Sequence, residues 1–449
     1  MMNRLKNFPF KRVLVLGLAK SGTATCRVLH RNGIDVIAND LSADEKSKEI
    51  NELKQMGIEL VIGHHPISIV DEVDAVIKNP GIPYENIIVK HALKRNLPVW
   101  TEIELLYYLI DQPIIGITGS NGKTTTTMLV EAMLKNSEKK AKVAGNIGEV
   151  AVEVAEQITE DEILVLELSS FQLMGVERFQ PKIAVILNLF ESHLDYHGDF
   201  ESYKAAKANI LTKLTGDDFL IYNADDPDVL SMIQKTEAKR IPFSVKNQHD
   251  KGAWTDGTSV YFENQEIIQI EKIRLVGDHN LENILASVAA SMLVGANKQG
   301  IEQALTTFSG VKHRLQFVAE KQGRIFYNDS KATNILASSK ALKSFDQPIL
   351  LIAGGLDRGN EFDELLPYLS NVKGLFLYGE TKEKLAYLGR KAKIPLIETG
   401  ATLEEMTTLA FTKSNPGDLI LLSPACASWD QFKTFEERGN MFIDTVHRL

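Results

Sequence analysis

Residues 113–134 read PIIGITGSNGKTTTTMLVEAML, and this stretch decides the fold. A β-favouring apolar run meets a glycine-rich turn, and a helix-favouring segment follows directly. Glycines permit a tight turn whose backbone N–H groups can face phosphate oxygens, and the N-terminus of the next helix adds partial positive charge. Lys123 would contact the β- and γ-phosphates of a nucleotide, and the Thr124 hydroxyl would bind Mg²⁺. The stretch therefore predicts a phosphate-binding loop.

The loop has a short form of the motif. The commoner spacing places its first glycine at position 117, which is Ile117 here, and the glycine stands at position 119 instead. A glycine-rich turn with a chance lysine is the competing interpretation. We favour the phosphate loop because strand, turn and helix signals agree.

Size and charge limit the class of protein. The chain has 449 residues and a formal net charge of −9. This length predicts two to four domains, and the negative charge disfavours a general nucleic-acid or anionic-membrane binder. Cys26 and Cys426 form no disulfide framework and no zinc motif, which fits a reducing cytosol. We expect a cytoplasmic monomer without a nucleic-acid or membrane partner.

The N-terminus also has an apolar run, residues 13–19, which ends at Lys20. A first strand explains this run better than a signal peptide does, and no stretch reaches the length of a membrane span.

Strand and helix signals alternate along the chain, which predicts an α/β fold with parallel sheets. We place three domains at residues 1–101, 102–312 and 313–449. Short apolar runs such as RVLVLGL, ILVLELSS and QPILLIAGG provide the strands. Residues 241–273 differ, because short segments with turn signals predict a meander or hairpin there.

Polar residues follow several of these strands, where α/β sheets bind ligands. Glu167 ends one strand and could complete a Mg²⁺ shell, although a solvent-facing charge is the alternative. The segment 188–197 contains several oxygen and nitrogen ligands, including His193, and suggests a metal or phosphate site. Lys204 and Lys207, on the next predicted helix, indicate by themselves only a solvated face.

The last third of the chain has similar features. Asp329 and Lys331 follow a strand and read as a second phosphate-facing loop, in which Lys331 could neutralise a transferring phosphoryl group. Small residues in Ser423–Gly439 would let a ligand approach closely, and a helix N-terminus there could accept a carboxylate.

The N-terminal turn, Gly17–Gly22, is a partial dinucleotide fingerprint. Asp40 lies at the end of the second predicted strand, at a spacing that suits a ribose hydroxyl. A nicotinamide-dependent dehydrogenase is therefore the alternative for this domain alone, but it leaves the phosphate loop unexplained.

Seven motifs in this order resemble the Mur ligase family of bacterial cell-wall synthesis. They are ITGSNGKTT, GNIG (145–148), ELSSFQ, the segment 188–197, GDHNLEN (277–283), HR (313–314) and NDSKATN. The opening GLAKSG and the ending SPACASWDQFKTFEERG are similar to the members that attach D-glutamate. The resemblance implies a Rossmann-like N-terminal domain for the UDP group, a P-loop-type central ATP-binding domain and a Rossmann-like C-terminal domain for the amino acid.

The resemblance also implies roles for individual residues. Catalytic roles fall to Lys123, His193, Lys207 and Lys331. Two Mg²⁺ sites would use Thr124, Glu167, His193 and Lys207, the last as a carbamate. ATP would contact Gly119, Ser120, Asn121, Gly122, Lys123, Thr124, Thr125, Asn280, Asn283, Arg314 and Asp329. The UDP-linked substrate would contact Lys20, Ser21, Asp40, Ser42 and Asn146, and D-glutamate would contact Thr333, Arg358, Ser428 and Phe435. Arg358 departs from relatives that have lysine, but a guanidinium can also hold a carboxylate.

We therefore expect an ATP-dependent ligase of peptidoglycan precursor synthesis that joins D-glutamate to UDP-N-acetylmuramoyl-L-alanine through an acyl phosphate. A P-loop NTPase that drives motion or assembly remains an alternative, as does a regulatory nucleotide-binding module without turnover. Within the ligases, a relative that adds another amino acid and folylpolyglutamate synthetase are the competitors.

Overall fold

The structure is a computed structural model, and it describes residues 2–275 and 277–449, apart from the side chains of residues 278 and 279. One compact unit holds the described residues up to Ile273 together with His279–Thr306; the other holds Thr307–Leu449 with the short segment Arg274–Asp278. The predicted α/β class is confirmed, and the described residues form three sheets. The domain boundaries at residues 101 and 312 stay a prediction.

The first sheet has five parallel strands. Its elements are β1 (Arg12–Leu16), α1 (Lys20–Arg31), β2 (Asp35–Asp40), α2 (Lys48–Gln55), β3 (Glu59–Ile62), β4 (Ala75–Lys78), α3 (Ile87–Lys94) and β5 (Val99–Trp100). The strand order β3-β2-β1-β4-β5 reverses beside β1. Such a switch point is where open α/β sheets bind ligands.

The second sheet has nine strands and contains the phosphate loop. Its elements are α4 (Leu106–Leu109), β6 (Ile114–Thr118), α5 (Lys123–Asn136), β7 (Lys140–Gly145), α6 (Ala151–Gln157), β8 (Glu162–Glu167), α7 (Ser170–Leu173), β9 (Ile183–Ile186), α8 (Leu194–His197), α9 (Phe200–Ala208), β10 (Phe219–Asn223), α10 (Pro227–Met232), β11 (Lys239–Ser244), β12 (Ala253–Thr255), β13 (Ser259–Phe262), β14 (Gln265–Gln269), α11 (Asp278–Leu293) and α12 (Lys298–Thr307). The strand order is β14-β13-β12-β11-β10-β9-β6-β8-β7. Strands β12, β13 and β14 form the predicted antiparallel meander.

The second unit contains a six-stranded sheet. Its elements are β15 (Gln316–Lys321), β16 (Arg324–Asn328), α13 (Ile335–Lys343), β17 (Ile349–Gly354), β18 (Val372–Tyr378), α14 (Lys382–Lys391), β19 (Leu396–Thr399), α15 (Leu403–Lys413), β20 (Leu419–Leu422) and α16 (Phe435–Arg448). The order is β15-β16-β20-β17-β18-β19, parallel except for the β15–β16 hairpin.

Alternation along the strands explains why these sheets are covered on both faces. In β1, Val13 and Val15 belong to one apolar cluster, whereas Leu14 and Leu16 belong to another. Successive side chains of a strand point to opposite faces, so a strand that is apolar throughout needs helices on both sides. Among the described residues, no helix combines the length and the apolar character needed to cross a membrane.

Candidate active site

The turn between β6 and α5 has the geometry of a phosphate-binding loop. Gly122 immediately precedes α5 with φ 84°, in the left-handed region that favours glycine. A Cβ atom there would lie 2.1 Å from Oδ1 of Asn283, so glycine is what lets α11 approach the loop. The first turn of α5 carries no acidic residue, and its leading N–H groups have no acceptor within the helix. This helix end therefore suits an anion.

Two predicted nucleotide-binding residues fix the shape of the loop. The Ser120 N–H donates to the carbonyl oxygen of Asn188 at 2.9 Å, and the Asn121 N–H donates to Oδ1 of Asn188 at 2.8 Å. The Ser120 hydroxyl donates to the carbonyl oxygen of Phe190 at 3.0 Å. Because these groups are engaged by the segment after β9, we expect the phosphate contacts from residues 122–125.

Two lysine amines meet inside the loop. Nζ of Lys123 donates to the carbonyl oxygen of Gly119 at 2.9 Å, and Nζ of Lys207 donates to the same oxygen at 2.8 Å. Lys207 is 1% exposed, so the solvated face that its pattern alone suggested is wrong. Burial, and then the charge of Lys123, lower the pKa of the Lys207 amine well below its ordinary value, while Glu167 acts in the opposite direction.

Glu167 ends β8 and is 2% exposed, which excludes the solvent-facing alternative. Its Oε1 accepts a hydrogen bond from Nδ2 of Asn146 at 2.8 Å. Its Oε2 is buried and has no hydrogen-bond partner among the described residues. A buried carboxylate oxygen without a donor is costly unless it meets a cation. Glu167 therefore fits a metal ligand, and Asn146 fits the residue that orients it.

The segment around His193 is built from aromatic rings. The ring centroids of His193 and Phe171 lie 5.0 Å apart, and the His197 ring stacks on Phe171 at 5.3 Å. Nε2 of His197 lies 3.0 Å from the hydroxyl of Ser170. Burial lowers the pKa of His197. His197 ends the predicted segment 188–197, but the sequence prediction gave it no role of its own.

Asn280 and Asn283, on α11, are both buried. Nδ2 of Asn283 donates to Oδ1 of Asn280 at 3.1 Å, and the Thr126 hydroxyl donates to Oδ1 of Asn283 at 3.4 Å. Both amides therefore lie beside the first turn of α5. Other parts of the GDHNLEN motif, the side chains of residues 278 and 279, lie outside the described residues.

Of the residues predicted for the UDP-linked substrate, Lys20 and Ser21 begin α1, Asp40 ends β2 and Ser42 follows it, whereas Asn146 follows β7. The carboxylate of Asp40 accepts the N–H groups of Leu18, at 2.6 Å, and of Ser42 and Ala43. One carboxylate oxygen therefore fixes the turn after β1, and the other fixes the turn after β2. Nζ of Lys20 donates to the carbonyl oxygen of Gly148 at 2.7 Å.

The loop after β4, residues 79–82, contacts one of these predicted residues and was not itself among the predicted site residues. Nδ2 of Asn79 donates to the hydroxyl of Ser21 at 2.9 Å. Lys78, at the end of β4, is also buried and was not predicted.

In the second unit, Asp329 follows β16 and is buried. Its Oδ1 accepts the N–H of Leu315 at 3.1 Å, and its Oδ2 accepts the hydroxyl of Ser423 at 3.1 Å. Burial raises the pKa of Asp329 to about 7, while these two donors and Arg314 oppose the rise. The positive charge of Arg314 therefore acts on the carboxyl group of Asp329.

A buried arginine, Arg438, holds Ser330 and Cys426 in place. Arg438 is fully buried; it donates to the hydroxyl and carbonyl oxygens of Ser330 and to the carbonyl oxygen of Cys426. Nζ of Lys331 lies 5.6 Å from the ring centroid of Phe435. Lys331 and Phe435, predicted for different substrates, are therefore neighbours. Arg438 belongs to the quoted motif SPACASWDQFKTFEERG, but the sequence did not indicate that it is buried.

The predicted D-glutamate residues follow three neighbouring strands. Thr333 follows β16, Ser428 follows β20 and Arg358 follows β17. The guanidinium of Arg358 lies 4.8 Å from the ring centroid of Trp429, the residue next to Ser428. Carboxyl ends of neighbouring parallel strands share one sheet edge, where a small ligand can be held.

Family profiles match three parts of the chain. They describe a Mur ligase MurD-like N-terminal domain at residues 11–101, a Mur ligase middle domain at residues 117–291 and a Mur ligase glutamate ligase domain at residues 313–426.

Curated relatives are similar over the full length. UDP-N-acetylmuramoylalanine–D-glutamate ligase of Oceanobacillus iheyensis is 55% identical over 100% of both chains. The proteins of the same name from Geobacillus kaustophilus and Bacillus subtilis are each 52% identical, over 100% and 97% of both chains respectively.

Solved structures support the fold. UDP-N-acetylmuramate–alanine ligase from Thermotoga maritima has a TM-score of 0.56 at 18% identity, over 98% of this chain and 99% of that chain. MurF ligase from the same organism, in complex with ADP, has a TM-score of 0.54 at 20% identity, over 97% and 95%.

Proposed function

The chain belongs to the Mur ligase family, and on that premise we propose how its own residues carry the reaction. Its function is the ADP-forming addition of D-glutamate to UDP-N-acetylmuramoyl-L-alanine in peptidoglycan precursor synthesis. The observation that carries this statement is the 55% identity over the complete length of both chains.

ATP would bind at the N-terminus of α5. The loop supplies the N–H groups of residues 122–125, and Nζ of Lys123 is held 2.9 Å from the carbonyl oxygen of Gly119, within reach of the phosphates. Asn280 and Asn283 would hold the adenosine part, because both amides lie beside this helix end. Arg314 and Asp329 are proposed as further contacts to the nucleotide.

Magnesium would be held by Thr124, Glu167, His193 and a carbamylated Lys207. Oε2 of Glu167 has no hydrogen-bond partner among the described residues. This carboxylate oxygen would supply part of the negative charge that a Mg²⁺ site needs. In the part of the chain that the structure describes, no three His, Cys, Asp or Glu side chains form a metal cluster, so a hydroxyl and a carbamate would be needed as well. When bound, Mg²⁺ would offset the charge that develops on the transferring phosphoryl group.

Lys207 has the chemistry that carbamylation requires. A neutral amine attacks CO₂, forms an N–C bond and releases one proton, which leaves an anionic carbamate. The lowered pKa of Lys207 increases the neutral fraction of the amine. An ammonium would repel a metal ion, whereas a carbamate offers oxygen ligands.

The reaction would then proceed in two steps. A carboxylate oxygen of the UDP-linked substrate attacks the γ-phosphorus of ATP, the bond to the bridging oxygen breaks, and ADP leaves an acyl phosphate behind. The amine of D-glutamate attacks the acyl carbon and loses a proton, and inorganic phosphate departs. Lys123 and Lys331 would stabilise the phosphoryl charge.

The C-terminal sheet edge would hold D-glutamate. Arg358 can bind a carboxylate bidentately, and its position over the Trp429 ring orients the guanidinium. Thr333, Ser428 and Phe435 would surround the remaining groups. We also propose that the chain works as a monomer in the cytoplasm, where ATP is available and its two free, buried thiols stay reduced.

Amino-acid specificity is the part of this proposal to test first. The chain is incubated with ATP, Mg²⁺ and UDP-N-acetylmuramoyl-L-alanine plus D-glutamate, L-glutamate, L-alanine, L-lysine or diaminopimelate, and products are read by mass spectrometry. We expect a product heavier by one glutamate residue with D-glutamate. Preferential addition of another amino acid would preserve the mechanism and overturn the specificity.

A further inference from the structure

Lys78 is a buried lysine that the proposed mechanism does not use. It ends the otherwise apolar β4 and is 1% exposed. Nζ of Lys78 donates to the carbonyl oxygens of Pro80 at 3.2 Å and Ile82 at 2.9 Å, and to the hydroxyl of Tyr196 at 3.4 Å. These three acceptors use all three donors of an ammonium group. Burying this charge is costly, so the local structure depends on these partners.

The two carbonyls belong to residues 79–82, which we call the switch-point loop. It follows β4 and lies beside the turn after β1, at the place where the strand order reverses. A Cβ atom on Gly17 would lie 2.7 Å from Cδ1 of Ile82, and Asn79 donates to the Ser21 hydroxyl. Open α/β sheets bind ligands between two such loops. The switch-point loop would therefore form one wall of a crevice for the UDP group, beside Ser21, which the family resemblance assigns to the UDP-linked substrate.

Tyr196 contacts the same two carbonyl oxygens. It lies on α8, three residues after His193; its hydroxyl donates to the carbonyl oxygen of Ile82 at 2.9 Å and lies 3.4 Å from that of Pro80. The Tyr196 ring packs edge-on against Phe171 at 4.6 Å, and Phe171 also contacts His193. Lys78 and Tyr196 thus connect the switch-point loop to the segment around His193, which is proposed to hold a metal ion.

We propose that Lys78 and Tyr196 are positioning residues that fix the UDP-substrate crevice relative to the phosphoryl-transfer centre, so that the reacting carboxylate meets the γ-phosphate of ATP. This inference rests on the proposed function. Neither side chain needs to touch substrate, because the pair acts through the switch-point loop and through α8. Displacement of a reacting group by about 1 Å can slow a reaction by about 100-fold, so a small shift of this loop would be felt in catalysis.

The test uses the full chain and two substitutions. Tyr196→Phe removes one hydroxyl, and Lys78→Met removes the charge while keeping the length of the side chain. Exposed residues provide matched controls, Tyr387→Phe and Lys90→Met. For each variant we would measure kcat, KM for each substrate, the Kd for ADP, and acyl-phosphate formation trapped with hydroxylamine.

We expect kcat and acyl-phosphate formation to fall about 10- to 100-fold in both variants, with the Kd for ADP and the KM for D-glutamate within about twofold of the parent. The double variant should lose little more than the worse single variant, because both residues act through one link. The controls should match the parent.

Two results would overturn the positioning role: a Tyr196→Phe kcat within twofold of the parent, or an equal loss of ADP binding and catalysis, which indicates general destabilisation. If the Lys78→Met variant does not fold, the Tyr196→Phe variant alone tests the positioning role. A parent chain that makes no product from UDP-N-acetylmuramoyl-L-alanine would instead refute the proposed function itself.

Discussion

The amines of Lys123 and Lys207 donate hydrogen bonds to one acceptor, the carbonyl oxygen of Gly119. Two ammonium groups on one oxygen repel each other, and Lys207 is the more buried of the two lysines. The pKa of Lys207 is lowered accordingly, by burial first and by the charge of Lys123 second. This pair is the physical basis for assigning Lys123 to phosphate and Lys207 to carbamate chemistry.

Replacing Lys207 with alanine should abolish most activity, and short carboxylic acids should restore part of it. Loss of a residue that only orients a metal ligand typically costs about 10- to 100-fold in metal affinity or activity, so loss of a ligand itself should cost at least as much. Acetate or formate can enter the space that the side chain leaves and supply the missing oxygens. Lys204→Ala is the matched control, since Lys204 lies one turn earlier and pairs with Asp228 at 3.2 Å. Absence of rescue would weaken the carbamate assignment.

Glu167→Gln should raise the Mg²⁺ concentration needed for half-maximal activity. The substitution keeps the size of the side chain and an oxygen for the hydrogen bond from Asn146, but removes the charge that a metal ion needs. Steady-state rates over a Mg²⁺ titration measure the effect, which we expect to be about 10-fold or larger. The exposed Glu160→Gln provides the control, and an unchanged Mg²⁺ profile would contradict Glu167 as a ligand.

Gly122→Ala should weaken ADP binding by at least about 10-fold. The position has φ 84°, a conformation that costs a non-glycine residue roughly 1–2 kcal/mol, and the new methyl group would meet Asn283. Both effects displace the N–H groups that face phosphate. Calorimetric titration with ADP tests this, with Gly216→Ala as control because a Cβ there meets nothing within 4 Å. Equal affinities of the two variants would argue against phosphate binding at this turn.

The free energy of unfolding should fall as the pH rises from about 4 to about 7, because the buried Asp329 carboxyl group loses its proton over this range. Burial raises the pKa of its carboxyl group from 3.8 to about 7 in the folded chain. The protonated form is therefore favoured by folding, and its stabilisation is full below pH 4 and lost as pH passes 7. The maximum effect is on the order of 4 kcal/mol, from about three pKa units at about 1.4 kcal/mol each.

Denaturant unfolding at pH 5 and pH 8 measures this loss. In Asp329→Asn the difference between the two pH values should shrink, whereas the exposed Asp346→Asn should behave like the parent. A pH dependence unchanged by Asp329→Asn would refute the assignment.

Local signals predicted much of this molecule. The alternation of strands and helices gave the α/β class, and glycine with a following helix gave the loop at Gly119–Lys123. The position of Glu167 at the end of a strand predicted that it faces the edge of the sheet where ligands bind. Such features depend on residues adjacent in sequence, so they can be read without knowing the tertiary structure.

Other features depend on packing between distant segments. Lys207 looks like a solvated residue because its helix pattern does not reveal that it is buried against residues about 88 positions earlier. Lys78 and Tyr196 meet although they are 118 residues apart, and no local pattern signals the contact.

The most direct test of the central claim is phosphate release with ATP and Mg²⁺, with UDP-N-acetylmuramoyl-L-alanine and D-glutamate added singly and together. We predict sustained release only when both are present, with one product heavier by a glutamate residue. Release with ATP alone would contradict the ligase assignment and indicate an NTPase, and nucleotide binding without any turnover would indicate a regulatory module.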